Sequence, residues 1–117
     1  MRALILIATL LPLSLLAEPS SWTPLFNGKD LTGWHTMPGG KWEVVDGVIT
    51  GTSEKKEKRH GLLVTDKTYK NFILRAKFKV TKGDSGLYFR ALETKTKVAI
   101  KGFQAEVDKS PQVGGLY

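Results

Sequence analysis

Several short stretches of this chain alternate apolar and polar residues with a period of two, which is the pattern of a half-buried β-strand. In the clearest of them, Phe72, Leu74, Ala76, Phe78 and Val80 interleave with Ile73, Arg75, Lys77 and Lys79. Two β-branched runs flank Asp46-Gly47, a dipeptide that accepts the positive φ angles of a two-residue hairpin turn. No stretch after the first twenty residues has a convincing helical period. The sequence therefore predicts an all-β chain.

Further strands are predicted at residues 62–65, 87–91, 98–100, 103–107 and 115–117, separated by Gly, Lys, Asp, Ser and Pro. Many short strands at this spacing favour a β-sandwich or a jelly roll. The last stretch, residues 115–117, has the pattern of a strand that is only beginning. We therefore expect a C-terminally truncated jelly roll.

Residues 1–17 have the pattern of a secretory signal peptide, with Arg2 ahead of a Leu-rich apolar run that ends at Ala17. The run is short for a bilayer span, which needs about 20 residues. We expect cleavage after Ala17, a mature domain of residues 18–117, export to the periplasm or the extracellular space, and no stable membrane insertion afterwards. An uncleaved anchor is the alternative.

The chain has no cysteine and two histidines. The lack of cysteine excludes thiol nucleophiles and thiolate zinc sites, and in an exported chain it favours a bacterial protein whose core needs no crosslinks. His35 and His60 have no metal-ligand spacing and are interpreted as loop residues.

The net charge is +7, and residues 54–60 form a mixed-charge run. We interpret this run as a solvated loop, with a phosphate-contacting patch as the alternative. No aromatic and basic pattern of a nucleic-acid reader is present, so we expect no nucleic-acid partner.

Two predicted strands carry polar side chains that share one face. Alternation sends Leu87 and Phe89 inward, and places on the other face Gly86, Tyr88 and Arg90 together with Gln104, Glu106 and Asp108. Residues two apart on a strand lie about 6.5–7 Å from each other, so two carboxylates could address one sugar. A nearby guanidinium keeps one acid ionised and a like charge raises the pKa of the other. The alternative is a solvent-facing sheet with an ordinary cross-strand ion pair.

Five ordered blocks, residues 22–34, 42–49, 84–90, 102–108 and 114–117, resemble the 3-keto-disaccharide hydrolase domain family. This family is also described as 3-keto-glucoside 1,2-lyase/3-keto-2-hydroxy-glucal hydratase. The resemblance covers residues 21 to 117. It implies a concanavalin A-like jelly-roll sandwich, exported by bacteria, that acts on glycosides whose glucose carries a ketone at C3. Domains of this family continue well beyond the last block, which agrees with the expected truncation.

The resemblance also implies site roles. A C3 ketone acidifies the hydrogen at C2, so the substrate would be an oxidised sugar cleaved by proton abstraction and loss of the C1 substituent. Glu106 or Asp108 would be the base, Arg90 the oxyanion stabiliser, and Tyr88 a sugar platform or proton donor, while Gln104 and Gly86 would bind substrate. Gln104 and Glu106 stand in the reverse of the family's usual order, and Asp84 replaces an Asn, which leaves the identity of the base open.

No cofactor is certain from the sequence, and a divalent metal at Glu106 and Asp108 stays open. Two other functions also stay open: a non-catalytic carbohydrate-binding jelly-roll module, and a basic surface protein for anionic polymers.

Overall fold

A computed structural model describes residues 21–96 and 98–117. These residues form six strands and no helix: β1 (Trp34–Thr36), β2 (Lys41–Val45), β3 (Val48–Thr52), β4 (Leu63–Thr65), β5 (Ser85–Glu93) and β6 (Ile100–Val107). The predicted all-β class is confirmed, and the antiparallel sheets are consistent with a jelly roll. In this part of the chain no helix is long and apolar enough to cross a membrane. The predicted signal peptide, residues 1–17, lies outside the described residues.

The strands form three antiparallel pairs, β1 with β4, β2 with β3, and β5 with β6. The β2–β3 hairpin turns at Asp46 and Gly47, whose φ angles are 50° and 73°. Both angles are positive, as a type I′ turn requires, because the twist of this turn matches that of the flanking strands. The hairpin predicted at this dipeptide is therefore confirmed.

Residues 115–117 add a short third row to the β5–β6 sheet. Leu116 forms a bridge with Ala105 of β6. The backbone of Tyr117 both donates to and accepts from Gln104, at 2.9 and 3.0 Å, and the Glu106 amide donates to the Gly115 carbonyl at 2.9 Å. The strand pattern predicted at these residues thus corresponds to real pairing, and it makes β6 the middle row.

The predicted half-buried strand at residues 72–80 is wrong as a paired element. No strand is present between β4 and β5, and the side chains of residues 71–79 are exposed, with Ile73 at 71% and Phe78 at 57%. A period-two pattern becomes a sheet strand only when a neighbour pairs with its backbone and another layer covers its apolar face. No strand that pairs with this segment is found among residues 21–96 and 98–117.

No hydrophobic side chain among the described residues is fully buried. Two tryptophans are instead fixed at their polar ends, where the indole N–H of Trp34 donates to the Leu25 carbonyl at 3.0 Å and that of Trp42 donates to the Gly61 carbonyl at 2.8 Å. The local elements are therefore held together by backbone pairing and side-chain hydrogen bonds rather than by a closed core.

His35 connects two of the strand pairs. Its Nδ1 lies 2.8 Å from Asp66 Oδ1, just after β4, and its Nε2 lies 3.0 Å from Glu93 Oε1, at the end of β5. Ionised carboxylates only accept hydrogen bonds, and an imidazole ring can donate from both nitrogens only when it is protonated, so this arrangement favours the imidazolium form. The hydrogen bonds that the ring donates to Asp66 and, to a smaller extent, to Glu93 raise the pKa of His35. The interpretation of His35 as a loop residue is wrong, because it lies in β1 and bridges two acids.

The raised pKa of His35 predicts a pH-dependent bridge. A histidine whose pKa is higher in the folded state contributes stability fully below its unfolded pKa of about 6.5, and this contribution is lost as pH rises through the folded pKa. We expect Asp66→Asn to lower the titration midpoint of the His35 ring, measured by NMR, and Glu93→Gln to do the same. Glu54→Gln, in a distant exposed loop, is the control. Unchanged midpoints in both bridge variants would contradict the contact.

The lack of buried apolar side chains predicts weak cooperativity. Because cooperative unfolding rests on a packed core, we expect the chain to lose near-UV circular dichroism over a broad temperature range and to bind the dye ANS before heating. A single sharp transition with coincident near-UV and far-UV midpoints would show that this expectation is wrong.

Candidate functional site

The register of β5 against β6 gathers four of the predicted site residues. Gly86 lies opposite Glu106 and Tyr88 lies opposite Gln104, while Leu87 and Ala105 form the intervening pair. Directly opposed residues project to the same side of a sheet, and successive pairs alternate. Gly86, Tyr88, Gln104 and Glu106 therefore share one face, as alternation predicted.

A hydrogen bond within β6 orients the acid on this face. Gln104 Nε2 donates to Glu106 Oε2 at 2.8 Å, and both residues are half-buried. The amide fits because Gly86 has no side chain: a Cβ at Gly86 would lie 2.6 Å from Cγ and Nε2 of Gln104. Real Cβ atoms do not approach other atoms so closely, so Gly86 provides the space in which Gln104 reaches Glu106.

The third row completes the surroundings of Glu106 and contributes Gly115 and Tyr117, which the strand pattern did not predict as site residues. Gly115 pairs with Glu106 and Tyr117 pairs with Gln104. A Cβ at Gly115 would lie 3.4 Å from the Tyr117 ring, so the ring leans toward the Glu106 row. Glu106 thus has a glycine on each side, and Gln104 has a tyrosine on each side. Glycines inside a strand pattern were the available signal, because they often mark a close approach.

The Tyr88 hydroxyl belongs to the same electrostatic environment. Burial raises the pKa of Tyr88, and the negative charge of Glu106 raises it further. The phenol therefore stays protonated at neutral pH, beside an acid that is held by an amide. A neutral proton donor next to a hydrogen-bonded carboxylate is an arrangement that acid–base chemistry can use.

Asp108 lies one residue beyond β6 and has different partners. Its Oδ1 accepts from the Ser110 amide at 3.0 Å, and its Oδ2 accepts from the Ser110 hydroxyl at 2.5 Å. Both oxygens are thus used in a local turn, a common role for Asp after a strand. The structure brings Gln104 to Glu106 and leaves Asp108 with Ser110.

Arg90 departs from the face that alternation assigned to it. The register shifts between Phe89 and Leu92, and Arg90 has a φ of 48° within this irregularity. The residue is exposed and lines a cavity of about 360 Å³ together with Leu87, Phe89 and Ala105, which belong to the opposite, apolar face. A bulge re-aims side chains because it adds a residue to one strand only. The predicted grouping of Arg90 with Tyr88 and Glu106 is therefore wrong in this structure.

The described residues contain no group of three or more His, Asp or Glu side chains placed to hold a metal ion. Glu106 and Asp108, the two acids considered for a divalent metal, have Gln104 and Ser110 as their respective partners. The described geometry therefore supplies no assembled ligand set at these two acids.

The described residues belong to an all-β protein with an acid, an amide and a phenol on one sheet face. Comparison with known sequences identifies the family. The chain belongs to the 3-keto-alpha-glucoside-1,2-lyase-like domain family, whose sequence profile matches residues 21–117. The family predicted from the ordered blocks is thus confirmed.

A relative adds a named activity. The chain is 32% identical, over 95 residues, to a 3-keto-disaccharide hydrolase of Bacteroides thetaiotaomicron. The alignment covers 73% of this chain and 32% of the relative, so the chain spans about a third of that protein's length. No solved structure gives a significant match.

The contact between Gly86 and Gln104 predicts the effect of adding one methyl group. We expect Gly86→Ala to displace the Gln104 amide from Glu106, because the new Cβ would occupy the same space. The shift of the Gln104 side-chain amide protons, measured by NMR, should move toward that of an exposed glutamine. Ser85→Ala, on the preceding exposed residue, is the matched control. An unchanged Gln104 amide signal in Gly86→Ala would contradict this packing.

Proposed function

We propose that this chain is part of an enzyme that cleaves 3-keto-glycosides, with an oxidised small-molecule sugar as substrate. Membership of the family and the relative named 3-keto-disaccharide hydrolase support this proposal. Because the chain spans about a third of that relative, the proposal concerns the protein to which this domain contributes.

The observation that carries the proposal is the environment of Glu106. One carboxylate oxygen accepts from Gln104, which reaches it through the space at Gly86. In the described part of the chain no hydrogen bond reaches Oε1. We assign Glu106 as the base that removes the C2 proton, in preference to Asp108, whose two oxygens are used by Ser110.

Tyr88 is the proposed proton donor. Its phenol is neutral at neutral pH and lies on the same face as Glu106, so it has a proton to give to the departing C1 oxygen. The second amide hydrogen of Gln104 is the proposed donor to the C3 oxygen, where negative charge develops. This assignment replaces Arg90, which lies with the apolar face.

The proposed reaction balances in two steps. In the first step Glu106 takes the proton from C2, the C1–O bond breaks, a C1=C2 double bond forms, and Tyr88 protonates the leaving oxygen. In the second step water adds across this double bond at C1, with proton return through Glu106 and Tyr88. The net change is hydrolysis of the glycosidic bond without an oxocarbenium ion.

We further propose that the reaction takes place after export, in the periplasm or the extracellular space, with neither a nucleic acid nor a membrane as partner. The signal-peptide pattern of residues 1–17 supports this location. Mass spectrometry of the protein from its natural source should find a mature chain that begins at Glu18, and an intact Met1 would contradict it.

The roles of the two acids can be separated by matched amide substitutions. Glu106→Gln should lower kcat for release of nitrophenol from a nitrophenyl 3-keto-glucoside by about 10²–10⁴-fold, the typical contribution of a general base. Asp108→Asn keeps one oxygen for Ser110 and should lower kcat far less.

The opposite ranking of these two variants would reassign the base to Asp108. Sugar binding without any turnover by the unsubstituted protein, on several 3-keto-glycosides, would instead favour a carbohydrate-binding module. The tyrosines on either side of Gln104 would serve such a module as well.

A further inference from the structure

Tyr117 presents an exposed aromatic ring on the sheet face that carries Glu106. The residue is 63% exposed, and no other aromatic ring packs against it among residues 21–96 and 98–117. Its backbone is nonetheless fixed, because its N–H donates to the Gln104 carbonyl at 2.9 Å and its carbonyl accepts from the Gln104 N–H at 3.0 Å. An uncovered aromatic ring beside a few convergent polar groups is typical of the lining of a ligand site.

Gly115 defines where the Tyr117 ring lies. A Cβ at Gly115 would be 3.4 Å from Cε2 and 3.6 Å from the hydroxyl of Tyr117, so the ring lies over the Gly115 row. Glu106 pairs with Gly115 in this row. The Tyr117 ring and Glu106 are therefore neighbours, whereas Tyr88 lies on the other side of β6, opposite Gln104.

The two tyrosines are far enough apart for one sugar ring to stand between them. Gln104 exchanges both of its backbone hydrogen bonds with Tyr117, so its pair with Tyr88 is of the closer, non-hydrogen-bonded kind. The two pair spacings are about 5.5 Å and about 4.5 Å, which places the Cα atoms of the tyrosines about 10 Å apart. A ring in van der Waals contact on both faces needs about 7–8 Å. A pyranose can therefore stand above Gln104 with one face toward Tyr117 and the other toward Tyr88.

The proton that Glu106 removes decides which sugar face meets Tyr117. In the chair of a glucopyranoside the C2 and C4 hydrogens are both axial on one face, and a ketone at C3 adds no axial group there. This face consists of C–H groups, which pack well on an aromatic ring. In the C4 epimer an axial hydroxyl replaces the C4 hydrogen on the same face, and against the ring it would lose water without gaining a hydrogen bond.

We propose that Tyr117 is the platform for the C2–H and C4–H face of the sugar, and that it makes the site specific for substrates whose C4 hydroxyl is equatorial. The proposal rests on the function proposed above, because Glu106 as the base turns the C2–H face toward Tyr117. Tyr88 then lies on the opposite face, and Gln104 lies beneath the ring.

Kinetics of the full chain on two nitrophenyl 3-keto-glycosides that differ only at C4 test this specificity. The kcat/KM for the equatorial epimer should exceed that for the axial epimer by about tenfold or more. Tyr117→Phe should keep this ratio, because the ring face remains. Tyr117→Ala should bring the ratio near one, mainly through a higher KM for the equatorial epimer. A ratio near one in the unsubstituted protein, or an unchanged ratio in Tyr117→Ala, would overturn the proposal.

Tyr69→Ala is the matched control. Tyr69 is also an exposed tyrosine, but it packs on Phe72, which lines the cavity over the apolar face. Its removal should leave the ratio of the two epimers unchanged. Equal effects of Tyr69→Ala and Tyr117→Ala on this ratio would overturn the assignment to Tyr117.

Binding without turnover separates the platform from the cleavage reaction. An NMR titration of Glu106→Gln with methyl 3-keto-glucoside should shift the C4 hydrogen of the sugar upfield, because this hydrogen lies over the Tyr117 ring. Adding Tyr117→Ala should abolish the shift and weaken binding by about tenfold. If this result is found and the unsubstituted protein shows no turnover, the platform stands and the proposed cleavage is wrong. Turnover without an effect of Tyr117→Ala on binding or on the epimer ratio would overturn the platform alone, and neither binding nor turnover would overturn both.

Discussion

The antiparallel pairing of β5 with β6 is the constraint on which the rest of the candidate site depends. Side chains alternate with a period of two, so a slip of one residue would move every polar group to the other face. The observed register instead places Gly86 against Glu106 and Tyr88 against Gln104. It also leaves Leu87 and Phe89 together on the face where apolar packing takes place. The register thus places the acid–base groups on one face of the sheet and the apolar side chains on the other.

Two glycines determine how closely other groups approach Glu106. At Gly86 the missing side chain is the space that Gln104 occupies on its way to Glu106. At Gly115 the missing side chain lets the Gln112 carbonyl and the Tyr117 ring come close to the row beside the acid. A larger residue would crowd the Gln104 amide at Gly86 and the Gln112 carbonyl at Gly115. The site therefore rests on small residues as much as on reactive ones.

The contacts between elements are mainly polar. His35 bridges Asp66 and Glu93 and so connects β1 and β4 to the end of β5, whereas the apolar side chains of residues 72–80 are exposed. A bridge of this kind orients elements without excluding water, and its geometry depends on the protonation of one ring. Residues 72–80 have the alternating pattern of a strand, but they are not part of any of the six strands.

Local structure was predictable from the sequence where it depends on residues that are close together in the chain. The Asp46-Gly47 turn follows from the φ angles that these residues accept, and the shared face of Tyr88 and Glu106 follows from alternation within two adjacent strands. The family was also predictable, since ordered blocks of residues carry it. These properties need no knowledge of distant contacts.

Only the tertiary structure decided which groups meet. The bulge that moves Arg90 to the apolar side depends on a register shift that alternation cannot show. The hydrogen bonds from Ser110 to Asp108 depend on the path of the turn after β6. The His35 bridge joins residues that are far apart in the chain. The sequence by itself determined the strand pattern and the family, because these depend on side-chain order. The structure decided the partners, because pairing and bulges arise between segments.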